Sequence, residues 1–242
     1  MAERFTLLDL PVDGYSLEEA AAFLLEKLQA GEGGYVATLN PEMAMAALRH
    51  EGVARVIRES LLCVPDGVGI VWAGRRLGLP PLQRVAGIDL GEALLARLDA
   101  SLPVFLLGGK PGVAAEAAAA LQKKFPDLSV AGVHHGYFPL EHGPALAARI
   151  EASGARLLIL GMGTPKEQEF YLQVKEGLAS LVIMGLGGAL DVWSGRLSRA
   201  PRFWQRLGLE WLYRLLRHPS RLGRQRALFQ FVRRVSQSSR TR

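Results

Sequence analysis

Apolar residues in this chain recur in short runs bounded by turn formers and separated by longer stretches with helical spacing. The runs fall at 34–38, 61–64, 104–107, 157–160 and 181–184, with a less apolar one at 129–133. Short apolar segments bounded this way predict strands buried on both faces, the pattern of a parallel sheet rather than of a half-exposed antiparallel one. Between them lie helix signals. Ser16-Leu17-Glu18-Glu19 reads as a capping box before an apolar run, and Pro111-Gly112-Val113 leads into the alanine-rich stretch 114–124. The alternation predicts an α/β fold: a Rossmann-like, mostly parallel sheet flanked by helices on both faces.

In such sheets ligands bind beyond the carboxyl ends of the strands. The residues there are polar or glycine-rich: Thr38-Leu39-Asn40-Pro41-Glu42, Pro65-Asp66-Gly67, Gly108 to Gly112, Gly161 to Lys166, and Gly185 to Gly188. Five such ends predict one shared cleft.

The pattern changes after Ser194-Gly195. Beyond Pro201 the chain predicts helix, with Trp204, Leu207, Trp211, Leu215 and Leu216 on one stripe, arginines beside it, and Pro219 as a break. Charge divides at the same place. Residues 196–242 hold 13 arginines, no lysine and one acid, Glu210, whereas residues 1–195 hold 16 basic and 22 acidic residues. The division predicts a catalytic α/β core over 1–195 and an arginine-rich, helical, membrane-associating appendage over 196–242. The basic segment points to an anionic partner. Its aromatics, Phe203, Trp204, Trp211, Phe229 and Phe231, suit an interfacial segment on anionic lipid, one that docking would fold over the site.

With Cys63 as the sole cysteine, no intrachain disulfide can form, and its apolar surroundings predict a buried, inert thiol. The opening Met1-Ala2-Glu3-Arg4 leads into a mixed segment rather than a long apolar run, and no stretch approaches the roughly 18 to 20 apolar residues of a membrane span. A cytoplasmic location, peripherally associated with the inner face of the membrane, is expected.

Several loops carry chemistry, and each also has a plainer reading. Gly108 to Gly112 and Gly161 to Pro165 let backbone amides approach a phosphate, or simply make tight strand-to-helix turns. Neither has the Gly-Lys-Ser/Thr ending of a P-loop, and Gly185 to Leu190 lacks the third glycine of the dinucleotide fingerprint. Asp66 is a carboxylate at a strand end, or the N-cap of a helix over 68–77. Thr38, Asn40 and Gln168 can orient hydroxyl groups without adding charge, or serve as caps and turn residues. His134, His135 and His142 match no metal spacing, and the chain has no Asp-x-Asp to hold a divalent ion under a diphosphate. No metal and no cofactor are expected, so arginines, lysines and amides would carry any diphosphate.

Taken together in order, these segments resemble the WecG/TagA/CpsF family of bacterial glycosyltransferases (glycosyltransferase family 26). The matching pieces are 38–42, 65–67, Arg84-Val85-Ala86-Gly87-Ile88-Asp89-Leu90, 108–110, Gly136-Tyr137-Phe138, 161–169, Gly187-Gly188-Ala189-Leu190-Asp191, and the run from Arg199 to Leu215. The resemblance implies inverting, metal-independent transfer of a sugar, typically of the N-acetylmannosamine type, from a UDP-sugar to a polyprenyl-diphosphate-linked sugar. It implies Asp66 as the base, with Thr38, Asn40 and Gln168 as further catalytic residues. Substrate binding falls on Arg84, Gly108, Gly109, Tyr137, Gly163, Thr164, Lys166, Gly187, Gly188 and Asp191, and on the C-terminal arginines Arg214, Arg221 and Arg224. Arg217-His218-Pro219 departs from the family pattern, which often has an acid before the proline.

The expected partners are a UDP-sugar donor, a lipid-linked acceptor and an anionic membrane surface, with no nucleic acid; a homo-oligomer is compatible with the sequence. Two other classes remain open: a nucleic-acid-binding protein with a basic arm, and a Rossmann-like oxidoreductase.

Overall fold

A computed structural model describes residues 3–201, 203–204, 210, 212–213 and 222–239. The chain opens with an antiparallel hairpin, β1 (Arg4–Leu7) and β2 (Leu10–Asp13). Asp13 is buried at its base, where Arg4 donates two hydrogen bonds to the carboxylate at 2.7 and 2.9 Å. Asp13 also accepts the Cys63 N–H at 2.7 Å, fastening the hairpin to the main sheet.

Then follow α1 (Leu17–Ala30), β3 (Gly34–Leu39), α2 (Pro41–Ala47), α3 (Glu51–Arg58), β4 (Leu62–Pro65), α4 (Val68–Arg76) and α5 (Gly87–Leu95). The second half runs β5 (Val104–Gly108), α6 (Val113–Lys124), β6 (Val130–His134), α7 (Gly143–Ala152), β7 (Leu157–Gly161), α8 (Lys166–Val174), β8 (Val182–Gly185) and α9 (Ala189–Trp193). A C-terminal helix, here α10, covers Leu222–Ser238. The six predicted apolar runs are the six strands of one sheet, ordered β4-β3-β8-β7-β5-β6 and parallel at every junction. The predicted capping box at α1 forms, with Ser16 Oγ accepting the Glu19 N–H while Glu19 accepts the Ser16 N–H.

Strand side chains alternate between two cores. Tyr35, Ala37, Leu39, Phe105, Leu107, Leu158, Leu160 and Ile183 face one layer, which draws buried residues from α2, α3, α4, α7, α8 and α10. Val36, Leu62, Val64, Val104, Leu106, Leu157, Ile159, Val182 and Met184 face the other, closed by α1, α5, α6 and α9. Apolar side chains on both faces of β3, β4, β5, β7 and β8 need a helical layer on each side, which is why those runs read as continuous.

The arginine-rich segment ends as part of this core. α10 packs on α2 and α4, and Phe231 and Val235 are fully buried against them. Phe231, expected on a lipid-facing surface, is instead a core residue, because it falls on the face of α10 that covers α2 and α4. Leu207, Trp211, Leu215, Leu216 and Pro219 lie outside the described residues. Cys63 is buried and unbridged, and burial pushes its thiol pKa up, as an inert thiol requires. No described helix is long and apolar enough to cross a membrane.

Candidate active site

The carboxyl end of the sheet divides into two neighbourhoods. Over β4, β3 and β8 lies a cavity of about 680 Å³. Its polar wall comes from Asn40, Glu42, Asp66, Arg84 and Glu210, and its apolar wall includes Val68, Trp72, Leu228, Phe229 and Val232 from α4 and α10.

Backbone pairing places Asp66 there. Its N–H donates to the Leu39 carbonyl at 2.8 Å, tying it to the end of β3 beside Asn40. One residue earlier, the Pro65 carbonyl accepts the Val85 N–H at 3.0 Å, which brings the Arg84 segment alongside. Asp66 is half-buried and does not occupy the cap position of α4; Gly67 does, at φ 146°. Asn40 takes the plainer of the two roles foreseen for it, its Oδ1 accepting the Met43 N–H at 2.9 Å as the N-cap of α2, and the residue also lines the cavity.

Arg84 donates to Glu210, the single acid of the basic segment. Glu210 also accepts from Arg199 Nε at 3.3 Å, and Arg199 binds Asp89 through two nitrogens at 2.5 and 2.9 Å. This Arg84–Glu210–Arg199–Asp89 network latches the start of the C-terminal segment to the cavity wall. Burial works against the Arg199 charge, but Asp89 and Glu210 outweigh it and hold its pKa above the ordinary guanidinium value. Sequence reasoning assigned Arg84 to substrate and missed the other three, although a lone acid among 13 arginines was a usable signal.

Two of the expected catalytic residues lie beneath the site rather than in the cavity. Thr38 is buried; its hydroxyl donates to the Gly185 carbonyl at 2.9 Å, and its side chain packs where a Cβ on Gly87 would collide at 2.8 Å. Gln168 is fully buried, with Nε2 donating to the Tyr35 hydroxyl at 2.7 Å and Oε1 lacking a hydrogen-bond partner among the described residues. Burial and the neighbouring Glu167 push the Tyr35 phenol well above its ordinary pKa.

The second neighbourhood, over β7, β5 and β6, holds the remaining glycine loops, and its polar groups bond to one another. Gly109 N–H donates to the Gly161 carbonyl at 3.0 Å, and Gly136 N–H to the Gly109 carbonyl at 2.9 Å. A Cβ on Gly108 would sit 2.5 Å from the Gly161 backbone. Lys166 donates to the carbonyls of Gly136 at 2.7 Å and Phe138 at 3.1 Å, and its ammonium stands 4.9 Å from the Phe138 ring centre. The amides of Gly163 and Gly187 both donate to Glu167, at 2.8 and 3.0 Å.

Of the expected binding residues, then, Arg84 and Gly188 line the cavity, whereas Gly108, Gly109, Tyr137, Gly163, Thr164, Lys166, Gly187 and Asp191 do not. The single cleft foreseen for five strand ends is a cavity over three of them. Tyr137 is 65% exposed. Arg214 and Arg221 lie outside the described residues, and Arg224 sits in α10 without a described side chain. Among the described residues no three His, Cys, Asp or Glu side chains gather as a metal-ligand set.

An all-parallel sheet with a largely apolar cavity, polar at one end, at its carboxyl edge defines a Rossmann-like α/β protein with room for a ligand there. Over residues 5–242 the chain matches the glycosyl transferase WecG/TagA/CpsF family, and it belongs to that family. It is a glycosyltransferase of cell-surface polysaccharide biosynthesis, acting on a sugar donor and an acceptor.

Proposed function

We propose that the protein transfers a hexosamine-type sugar, of the N-acetylmannosamine kind, from a UDP-sugar to a hydroxyl of a polyprenyl-diphosphate-linked sugar, with inversion and without a metal. The observation that carries this reading is Asp66, held by backbone pairing at the polar end of the cavity between Asn40 and Arg84.

A sugar hydroxyl is a weak nucleophile at neutral pH. A carboxylate that takes its proton as the new C–O bond forms contributes about 10²- to 10⁴-fold. Asp66 accepts that proton while the acceptor oxygen attacks the anomeric carbon opposite the departing UDP, which inverts the configuration. The bond from anomeric carbon to phosphate oxygen breaks, and negative charge gathers on the diphosphate. Guanidinium groups bind such oxygens in bidentate fashion. By resemblance, Arg214, Arg221 and Arg224 take this part.

The apolar part of the cavity supports a lipid-linked acceptor. Val68, Trp72, Phe229 and Val232 line it while remaining 38 to 75% exposed, and Arg226, Arg233 and Arg234 are exposed on α10. Apolar side chains beside arginines suit an anionic bilayer surface.

The test is a UDP-release assay with a panel of UDP-sugars and a polyprenyl-diphosphate sugar acceptor, with and without EDTA. Turnover that needs both substrates and survives EDTA is expected. Loss of turnover with EDTA and its return with a divalent ion would remove the metal-free mechanism.

A further inference from the structure

Glu167 follows Lys166 in the first turn of α8 and is 1% exposed. Its environment is unusual for a carboxylate. No ion pair to it is formed among the described residues, and its stabilising contacts are three backbone amides meeting at one oxygen. Oε1 accepts from Met162 N–H at 3.0 Å, Gly163 N–H at 2.8 Å and Gly187 N–H at 3.0 Å. Two of these amides belong to the β7–α8 turn and the third to the β8–α9 turn. Gly163 and Gly187 hold φ values of 78° and 55°, left-handed conformations that turn their amides inward and that side chains other than glycine adopt at a cost.

Converging amides of this kind form a nest that elsewhere binds phosphate. Here the protein's own carboxylate occupies it. We propose that Glu167 is a positioning residue of the transfer site: its one oxygen ties the β7–α8 and β8–α9 turns together and so fixes the stretch Leu186 to Ala189 in the cavity wall. The proposal rests on the cavity being the transfer site.

The surroundings fit that task. Leu186, Gly188 and Ala189 line the cavity on either side of Gly187, the residue Glu167 holds. The other carboxylate oxygen and the Tyr35 hydroxyl stand 2.7 and 2.2 Å from where a Cβ on Gly185 would be, so β8 must end in glycine to let them in. From the opposite side Thr38 holds the Gly185 carbonyl. The end of β8 is thus fixed by Thr38 at residue 185 and by Glu167 at residue 187. A carboxylate that satisfies three amides from two turns also relieves the desolvation of its own burial, a role that a well-packed apolar side chain cannot perform.

The experiment compares Glu167→Ala, Glu167→Gln and Glu167→Asp in the full chain by amide hydrogen exchange, UDP binding and steady-state turnover. In Glu167→Ala, protection is expected to fall by about tenfold or more at 162–163 and at 187 together, with the amides of β7 and β8 unchanged. UDP affinity or kcat should fall by about tenfold or more alongside, as displacement of a positioned wall predicts. Glu167→Gln, whose carbonyl can still accept all three amides, should restore both turns to within about threefold of the parent. If Glu167→Ala does not fold, Glu167→Asp, one methylene shorter, should show the same joint loss. Unchanged protection, loss at one turn only, or failure of Gln to restore what Ala removes would overturn the proposal. Exchange is read without turnover, so a parent enzyme inactive on every UDP-sugar would count against the proposed reaction and not against the clamp.

Discussion

The two halves of the sheet's carboxyl edge carry similar-looking loops and put them to different uses. Over β4, β3 and β8 the chain leaves a cavity and turns Asn40, Asp66 and Arg84 onto its wall. Over β7, β5 and β6 Lys166 and Glu167 bond to the loop backbone, and the amides of Gly109, Gly136 and Gly163 are already engaged. Glycine after a strand therefore marks two things that a sequence does not separate: a loop that borders an open cavity, and an amide offered to a neighbouring turn. Buried donors must find partners, and a side chain from the next helix satisfies them as well as a phosphate does.

The largest expected effect tests the open half. Asp66→Asn keeps the size of the side chain and removes its basicity, so turnover should fall about 10²- to 10⁴-fold in the UDP-release assay while UDP binding is kept. Undiminished turnover would take the base away from Asp66.

Next comes the helix that closes the cavity. Phe231→Ala empties a fully buried site on α10 and should cost about 3 to 5 kcal/mol in denaturant unfolding. A loss below about 1 kcal/mol would show that α10 adds little to the core and would favour the reading of residues 196–242 as an appendage.

Glu167 brings a pH dependence to the closed half. Burial raises its pKa from the ordinary 4.5 to about 7, with the amides of Gly163, Met162 and Gly187 pulling the other way. The folded chain therefore holds this proton more tightly than the unfolded chain. Its contribution is complete below about pH 4.5 and is lost as pH rises through about 7. Relative to Glu167→Gln, which carries no titrating proton, the parent should lose on the order of 3 kcal/mol of stability across that window. Parallel stability curves for the two proteins would show that Glu167 does not titrate there.

The smallest effect is expected at Tyr137. Its side chain is 65% exposed and lines no part of the cavity, so Tyr137→Ala should change stability by less than about 0.5 kcal/mol and leave UDP affinity intact. A large loss of UDP affinity would show that the ligand extends over both halves of the edge.

Much of the architecture was legible. Five of the six strands announced themselves as short apolar runs, because a strand covered by helices on both faces has no polar alternation to hide it, whereas the edge strand β6, only partly buried, gave a weaker signal. The N-terminal hairpin escaped, since its turn is Leu8-Asp9, both at positive φ, with none of the glycine or asparagine that signals a two-residue turn. Of the residues expected at the site by resemblance, Asp66 and Asn40, both at strand ends, line the cavity. Thr38 and Gln168 stood out equally, yet they support the site from below, and Glu167 passed without a role despite lying between Lys166 and Gln168.

What the sequence alone determined is the layered α/β fold and the family, because these follow from local periodicity and from residues adjacent in the chain. Only the tertiary structure decided which polar groups face the cavity and which face each other. Glu167 meets Gly187 across 20 residues and Arg84 meets Glu210 across 126, and contacts at that separation leave no trace in local spacing. The same holds for the helix over 222–238, where charge spoke for the exposed face and only packing showed that the opposite face belongs to the core.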